Sequence, residues 1–164
     1  MIKKKKSEFL TTGVVALNRR ATFDYEIQER FTAGIQLTGT EVKSLRLGNA
    51  NINDAYGVVN DGEIYISNMS IAEYANKGYD SHKPIYDRKL LLTKKEINEI
   101  IKALSRKGAT LVVIKLFFDK KGLAKLELGL GTGKKLYDKR ETIKERDWKI
   151  DKQRIMIKGT KAKA

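Results

Sequence analysis

From about Val14 to Tyr137 the apolar residues fall in short runs that alternate with polar partners, and turn residues cut one run from the next. Successive side chains on a strand point to opposite faces, so a period of two marks half-buried strands. Phe23, Tyr25 and Ile27 keep that period, as do Ile35 and Leu37. Tyr56–Asn60 and Glu63–Ser67 flank Asp61-Gly62, the pair that supplies the positive φ values of a tight I′ hairpin turn. Leu111 to Phe118 is a β-rich apolar run, Lys120-Lys-Gly122 turns the chain, and Leu123 to Leu130 returns it. Long strand-helix-strand alternation is missing, so the pattern predicts a mainly β chain closed into a small barrel rather than a parallel α/β sheet.

Two short helices interrupt the strands. In Thr40–Gly48, Val42 and Leu45 stand three apart, Lys43 and Leu47 four apart, and Gly48 is placed to stop a helix. Thr93-Lys-Lys-Glu96 is a capping box, opening a helix that buries Ile97, Ile100, Ile101 and Leu104, with Gly108 ending it. Between them Ile71 to Asp87 is polar, holds the single proline, Pro84, and reads as a long loop.

The two ends differ from the middle. Lys3 to Lys6 repel one another and read as a flexible basic arm over residues 1–12. After Tyr137 ten lysines and arginines crowd the chain, with Asp138 where an N-cap would sit and Ile143, Ile150 and Ile157 seven apart. Glu141 with Lys144 and Glu145 with Lys149 have helix-pair spacing, worth only ~0.2–0.5 kcal/mol each. A tail over 138–164 that is disordered when free and helical on a polyanion is the expectation.

Charge narrows function. The chain carries 34 Lys and Arg against 20 Asp and Glu, a net +14 over 164 residues. An excess of that size self-repels and draws in polyanions, with nucleic acid first among them. No apolar run reaches the ~18 residues of a spanning helix, and no secretory signal opens the chain, so a cytoplasmic protein is expected. With no cysteine, disulfides and thiolate metal sites are excluded.

Catalytic chemistry finds no foothold. Gly129-Leu-Gly131-Thr-Gly133-Lys134-Lys135 misses both the P-loop and the dinucleotide spacing, and reads as a glycine-relaxed strand exit whose backbone could approach a phosphate. His82, the single histidine, cannot build a triad or metal cluster alone and is expected at the surface. The carboxylates are scattered among cations and form no acid/base couple. No catalytic residue, metal ligand or cofactor is expected. The strand-pattern aromatics Phe23, Tyr25, Phe31, Tyr65, Phe117 and Phe118 read mostly as core. Tyr137 lies between Lys134-Lys135 and Lys139-Arg140, a setting in which a ring stacks on an unpaired base while the cations hold phosphates.

Seven motifs then occur in order: Asn18-Arg-Arg-Ala21, Glu41-Val-Lys-Ser-Leu-Arg46, Ala50-Asn-Ile52, Arg88-Lys-Leu-Leu-Leu92, Gly133-Lys-Lys135, Asp138-Lys-Arg140 and Ile143-Lys-Glu-Arg146. Together, from about Asn18 to Met156, they resemble the SsrA-binding protein (SmpB) family. The resemblance implies an oligonucleotide-binding-type closed β-barrel over 13–137 with two to three helices and a basic C-terminal tail. It implies an adaptor of trans-translation that binds the tRNA-like domain of tmRNA and carries it to stalled ribosomes, as a monomer, one per tmRNA. The tail would occupy the empty mRNA channel and the decoding centre.

Carried over by position, Asn18, Tyr25, Leu91 and Lys125 match tmRNA-binding sites, and Arg19, Arg20, Arg46, Lys134 and Lys135 lie in motifs expected near RNA. Tyr137, Asp138, Lys139, Arg140, Lys144, Arg146, Trp148, Lys152, Arg154, Ile155 and Met156 match the ribosome-directed tail, Tyr137 where a ring stacks in the decoding centre. Two positions depart from the family pattern. Thr32 replaces the usual acidic residue, and Thr132 replaces a usual cation, removing one phosphate contact.

Overall fold

The computed structural model describes residues 10–76, 78 and 81–161. The Lys3–Lys6 arm, Tyr79 and Lys163 lie outside the described residues. The chain forms two units, Met1–Gly133 and Lys134–Ala164.

The first unit runs β1 (Gly13–Leu17), α1 (Ala21–Asp24), β2 (Tyr25–Ile35), α2 (Gly39–Arg46), β3 (Ala50–Asn51), β4 (Tyr56–Asn60), β5 (Glu63–Ser67), β6 (Ser70–Ile71), β7 (Arg88–Leu91), α3 (Lys94–Leu104), β8 (Ala109–Phe118) and β9 (Ala124–Gly133). Seven strands form one antiparallel sheet in the order β1-β8-β4-β5-β7-β2-β9, and β8 also pairs with β9. β3 and β6 make a separate two-stranded sheet. The second unit is α4 (Leu136–Lys161). The protein is therefore mainly β, with four helices among the described residues.

Local chemistry sets several of these elements where expected. Asp61 and Gly62 take φ of 49° and 73°, the left-handed pair a I′ hairpin turn requires, and β4 and β5 pair across them. At α3, Glu96 accepts from the Thr93 amide at 2.9 Å while Thr93 faces the Glu96 amide, closing the capping box. Ile97 and Ile100 go into the core beneath it.

The run Leu111–Phe118 is apolar but for Lys115 because most of it is covered on both faces. Leu111 and Val113 point into the main core, and a bulge between Val113 and Lys115 then shifts the parity so that Leu116 and Phe118 point inward. On the opposite face Val112 and Ile114 pack under Ala21 of α1 and against Tyr25 and Ile27. Lys115 and Phe117 are turned outward. Glycines of β9 accommodate this crossing. A Cβ on Gly131 would collide with the Glu26 carbonyl on β2, whereas one on Gly133 would meet nothing. Gly131→Ala is expected to destabilise by about 1–3 kcal/mol, and Gly133→Ala far less, as read from paired denaturant melts.

Structure corrects the sequence reading in six places, five of them in the backbone and aromatics and the sixth at His82. α1 is a fourth helix, so Phe23 is helical and β2 starts at Tyr25. α3 ends at Leu104, and Gly108, at φ 81°, sits in the following turn. Asp138 lies in the first turn of α4 instead of at its N-cap. Gly129 and Gly131 are inside β9 against β2 side chains and backbone, so they give close strand packing, not room for a phosphate. Of the six strand-pattern aromatics only Phe118 is fully buried; the others are half-buried.

His82 is buried, against expectation. Its Nε2–H points at the carbonyls of Ile71 (3.2 Å) and Ala72 (3.1 Å), and Nδ1 meets the Thr40 hydroxyl at 2.9 Å. Two carbonyl acceptors at Nε2 require the proton there, and Nδ1 pairs with the Thr40 hydroxyl, which can donate or accept. The ring thereby ties the 72–87 loop to the start of α2.

The centre of that arrangement is a buried ion pair. Glu41 on α2 accepts from Arg88 Nε on β7 at 2.7 Å, and both side chains are fully buried. The other guanidinium nitrogens donate to the carbonyls of Met69 (2.7 Å) and Pro84 (3.1 Å). Burial pushes the Glu41 carboxyl up, but bonds from the Thr38 amide, Arg88 and Tyr86 outweigh it and hold it below its ordinary value. A lowered folded value contributes stability that is whole above the unfolded value, ~4.3 for Glu, and is lost as pH falls through the folded one. Glu41→Gln should therefore melt lower at neutral pH and lose less on acidification than the unsubstituted chain, as thermal melts across the acid limb will read.

Candidate nucleic-acid interface

Residues singled out in the sequence gather in two clefts of the first unit. The first, about 260 Å³, is lined by Asn18, Arg20, Tyr25, Asn53 and Tyr56 among others. Asn18 is itself buried and committed internally. Its amide donates to the carbonyls of Val113 (3.1 Å) and Asn53 (3.2 Å), and its Oδ1 accepts from the backbone N–H groups of Arg20 and Ala21. Asn18 thus shapes the turn into α1 and leaves Arg19 and Arg20 exposed beside half-buried Tyr25. A buried amide with every strong bond used is a positioning group, and the arginines are the groups that reach outward.

The second cleft, about 370 Å³, gathers Arg46, Leu91 and Lys125 with Gly34, Gly122 and Leu123. Register explains the gathering. Gly34 on β2 pairs with Leu91 on β7 on one side and with Lys125 on β9 on the other. A Cβ at Gly34 would stand 3.2 Å from that of Leu91, so the missing side chain opens the groove between Leu91 and Lys125. Leu91 on β7 and Leu123, just before β9, are 56% and 57% exposed and suited to covering by a ribose or base. Lys125 Nζ lies 3.4 Å from Asp119. The Asp119 carboxylate is held below its usual range chiefly by the Leu123 amide, with Lys121 and Lys125 adding to it. Arg46 Nε is buried without a hydrogen-bond partner.

Beside this cleft the outer face of β8, β9 and β2 carries a cross-strand ladder. Glu127 accepts from Lys115 and from Arg30, each at 2.8 Å, and Lys115 lies 5.1 Å from the centre of the Phe117 ring. The Lys115 bond is the main force holding the Glu127 carboxyl low, ahead of burial, which opposes it, and Arg30. Two cations on one carboxylate leave the face positive. Gly34, Leu123 and Phe117 were missed in the sequence, where Gly34 reads only as a gap in a period-two run. The two clefts sit toward opposite ends of β2, at most ~30 Å apart along it.

Lys134, Lys135 and all the tail residues belong to the second unit. Along α4, Trp148, Ile155 and Met156 are well over half exposed, and Ile143 and Ile150 are exposed as well. Arg140, Lys144, Arg146, Lys152 and Arg154 are also exposed, while Asp138 and Lys139 are half-buried. Lys152 Nζ lies 5.0 Å from the Trp148 ring centre, and Arg154 pairs loosely with Asp151 at 3.8 Å. The helix offers large apolar side chains and cations together on a surface with no core of its own. Among the described residues no group of His, Asp and Glu could hold a metal, and no helix is long and apolar enough to cross a membrane.

Comparison with known proteins places these features in context. The family model described as SmpB protein matches residues 15–158. An SsrA-binding protein of Caulobacter vibrioides is 55% identical over 142 residues, covering 87% of this chain and 93% of its own length. One of Sphingopyxis alaskensis is 51% identical over 150 residues, 92% of this chain and 93% of that one. A chain solved under the heading "tmRNA-SmpB: a journey to the center of the bacterial ribosome" superposes with a TM-score of 0.63 at 43% identity, over 77% of this chain and 87% of that one.

Proposed function

The chain belongs to the SmpB family, and from that we propose that it is the tmRNA-binding adaptor of trans-translation, working in the cytoplasm as a monomer with one copy per tmRNA. It binds the tRNA-like domain of tmRNA and delivers it to stalled ribosomes, without chemistry of its own. The observation that carries this reading is the match over 15–158, which spans both the β unit and the tail helix.

The pairing cycle β8-β4-β5-β7-β2-β9-β8 supports an oligonucleotide-binding-type closed barrel, because each strand of the cycle has a partner on both edges. On it, Leu91 packs on ribose or base while Arg46 and Lys125 hold phosphates. Arg19 and Arg20, positioned by Asn18, and Tyr25 make a second contact, and Lys134 and Lys135 add charge where the chain leaves β9. The tail helix α4 (Leu136–Lys161) enters the mRNA channel. There Trp148, Ile155 and Met156 pack, Lys139, Arg140, Lys144, Arg146, Lys152 and Arg154 meet ribosomal phosphates, and Tyr137 stacks at the decoding centre beside Asp138. A helix of such polarity has little intramolecular reason to persist, and binding supplies one.

The test is a reconstituted translation stalled on an mRNA without a stop codon and supplied with alanylated tmRNA. Transfer of the tag to the stalled peptide should require this chain. Tagging at equal rate in its absence would refute the proposal.

A further inference from the structure

The surface that carries Leu91 and Lys125 does not end at Lys125. On β9 Lys125 stands opposite Phe117 of β8, and Phe117 stands opposite Val14 of β1. With Gly34 on β2 and Leu91 on β7, these residues make one row across the outer face of the β unit. A second row lies two residues, ~6.7 Å, along β8, β9 and β2. It runs from Leu17 through Lys115 and Glu127 to Thr32, and Arg30 reaches into it to meet Glu127 at 2.8 Å.

The chemistry of this face is one-sided. The side chains of Arg30 and Lys115 are 55% and 34% exposed, and that of Glu127 between them 16%. An incoming molecule therefore meets a guanidinium and an ammonium before it meets the carboxylate that pairs with both. Each cation has more N–H donors than the one it gives to Glu127. Phe117 is half-buried, with Lys115 5.1 Å from its ring centre, and Val14 and Leu17 on the neighbouring strand are about half exposed. An aromatic ring edged by cations fits a ribose or base with its phosphates, because every base offers a π-face and every linkage a negative charge.

We propose that this face continues the RNA interface of the cleft: Arg30 and Lys115 hold two phosphates of the tRNA-like domain, and Phe117 packs on a ribose or base beside them. The inference rests on the reading of the cleft as the site of that domain. Lys125 belongs to both surfaces, so RNA seated against Leu91 and Lys125 needs only one more strand spacing, ~4.8 Å, to reach Phe117. Phosphate contacts of this kind fix the register of the RNA on the protein, while the ring adds affinity that salt does not screen.

Titration of the tRNA-like domain with the full chain across potassium chloride concentrations tests it. R30Q/K115Q should flatten the slope of log affinity against log salt by about 1.4–1.8, the share of two phosphates, and weaken binding about tenfold at ~0.15 M salt. K102Q/K107Q removes the same charge from exposed positions at the end of α3 and just after it, and should flatten the slope by less than about 0.5. F117L should weaken binding about tenfold, whereas F117Y, which keeps the ring, should stay within about twofold. Should the double variant melt early, R30Q alone carries the test, with about half the flattening, since Arg30 is exposed.

Equal flattening by R30Q/K115Q and K102Q/K107Q overturns the proposal, because the two cations would then act as diffuse charge. Normal binding by R30Q/K115Q and F117L together with reduced tagging also overturns it, by assigning the face to another partner. L91S/K125Q reads the cleft separately. If that variant binds like the unsubstituted chain, the reading of the cleft fails and the proposal with it. If it binds weakly while R30Q/K115Q and F117L are unchanged, the proposal alone fails.

Discussion

A chain ended after Asp138 should bind the tRNA-like domain within about threefold of the full chain, yet fail to support tagging on stalled ribosomes. The first half follows from where the clefts are. Arg46, Leu91 and Lys125, with Arg20 and Tyr25, all sit on the β unit, which buries its own core between β2, β5, β8 and β9. The second half follows from what is removed. The lost segment holds ten cations against four acids, together with exposed Trp148, Ile155 and Met156. Those groups have the composition to enter an RNA-lined channel. Removing ten cations also weakens the long-range field, so the comparison belongs at ~0.15 M salt, where screening over ~8 Å suppresses diffuse attraction. Filter binding reads the first quantity and tag incorporation the second. Loss of both together would mean that the division between β unit and tail is wrong.

Arg88→Met should cost about 3–5 kcal/mol, the largest single-site loss of stability expected in the β unit. The substitution strands the fully buried Glu41 carboxylate and removes the donors that satisfy the Met69 and Pro84 carbonyls. The melting temperature should fall by roughly 10–20 °C. E41M/R88M should recover part of that loss, because two apolar side chains need no ion pair. It should not recover all of it, because the orphaned carbonyls remain. A single-site loss below about 1 kcal/mol would contradict the network described for α2, β7 and the 72–87 loop. In that family motif, Arg88 is a fold residue while its neighbour Leu91 faces outward, so a shared motif does not mean a shared role.

This distinction marks what could be read from sequence. Asp61-Gly62 and Thr93-Lys-Lys-Glu96 were legible because a turn and a capping box are local: the residues that need each other lie within three positions. His82 was not, since its partners Thr40, Ile71 and Ala72 are ten or more positions away and nothing in the polar loop signals them. Glu41 and Arg88 are separated by 47 positions, and each alone resembles any surface charge. α1 escaped notice because four residues carry too little periodicity to outweigh the alternation of Phe23, Tyr25 and Ile27. For the site, charge pointed to a polyanion, and the family pattern picked out Arg46, Leu91 and Lys125. That Gly34 joins them into one groove needed the register of β7, β2 and β9. In sequence Asn18 reads with the RNA contacts; its four internal bonds shape the turn that leaves Arg19 and Arg20 exposed.

The central claim is selective recognition of the tRNA-like domain by the β unit. Its most direct measurement is competition at equilibrium, with the labelled domain bound to the full chain and unlabelled transfer RNA added in large molar excess. The account predicts that the labelled domain stays bound, while the unlabelled tRNA-like domain displaces it at stoichiometric levels. Equal displacement by both would reduce the protein to a general RNA binder and contradict the account.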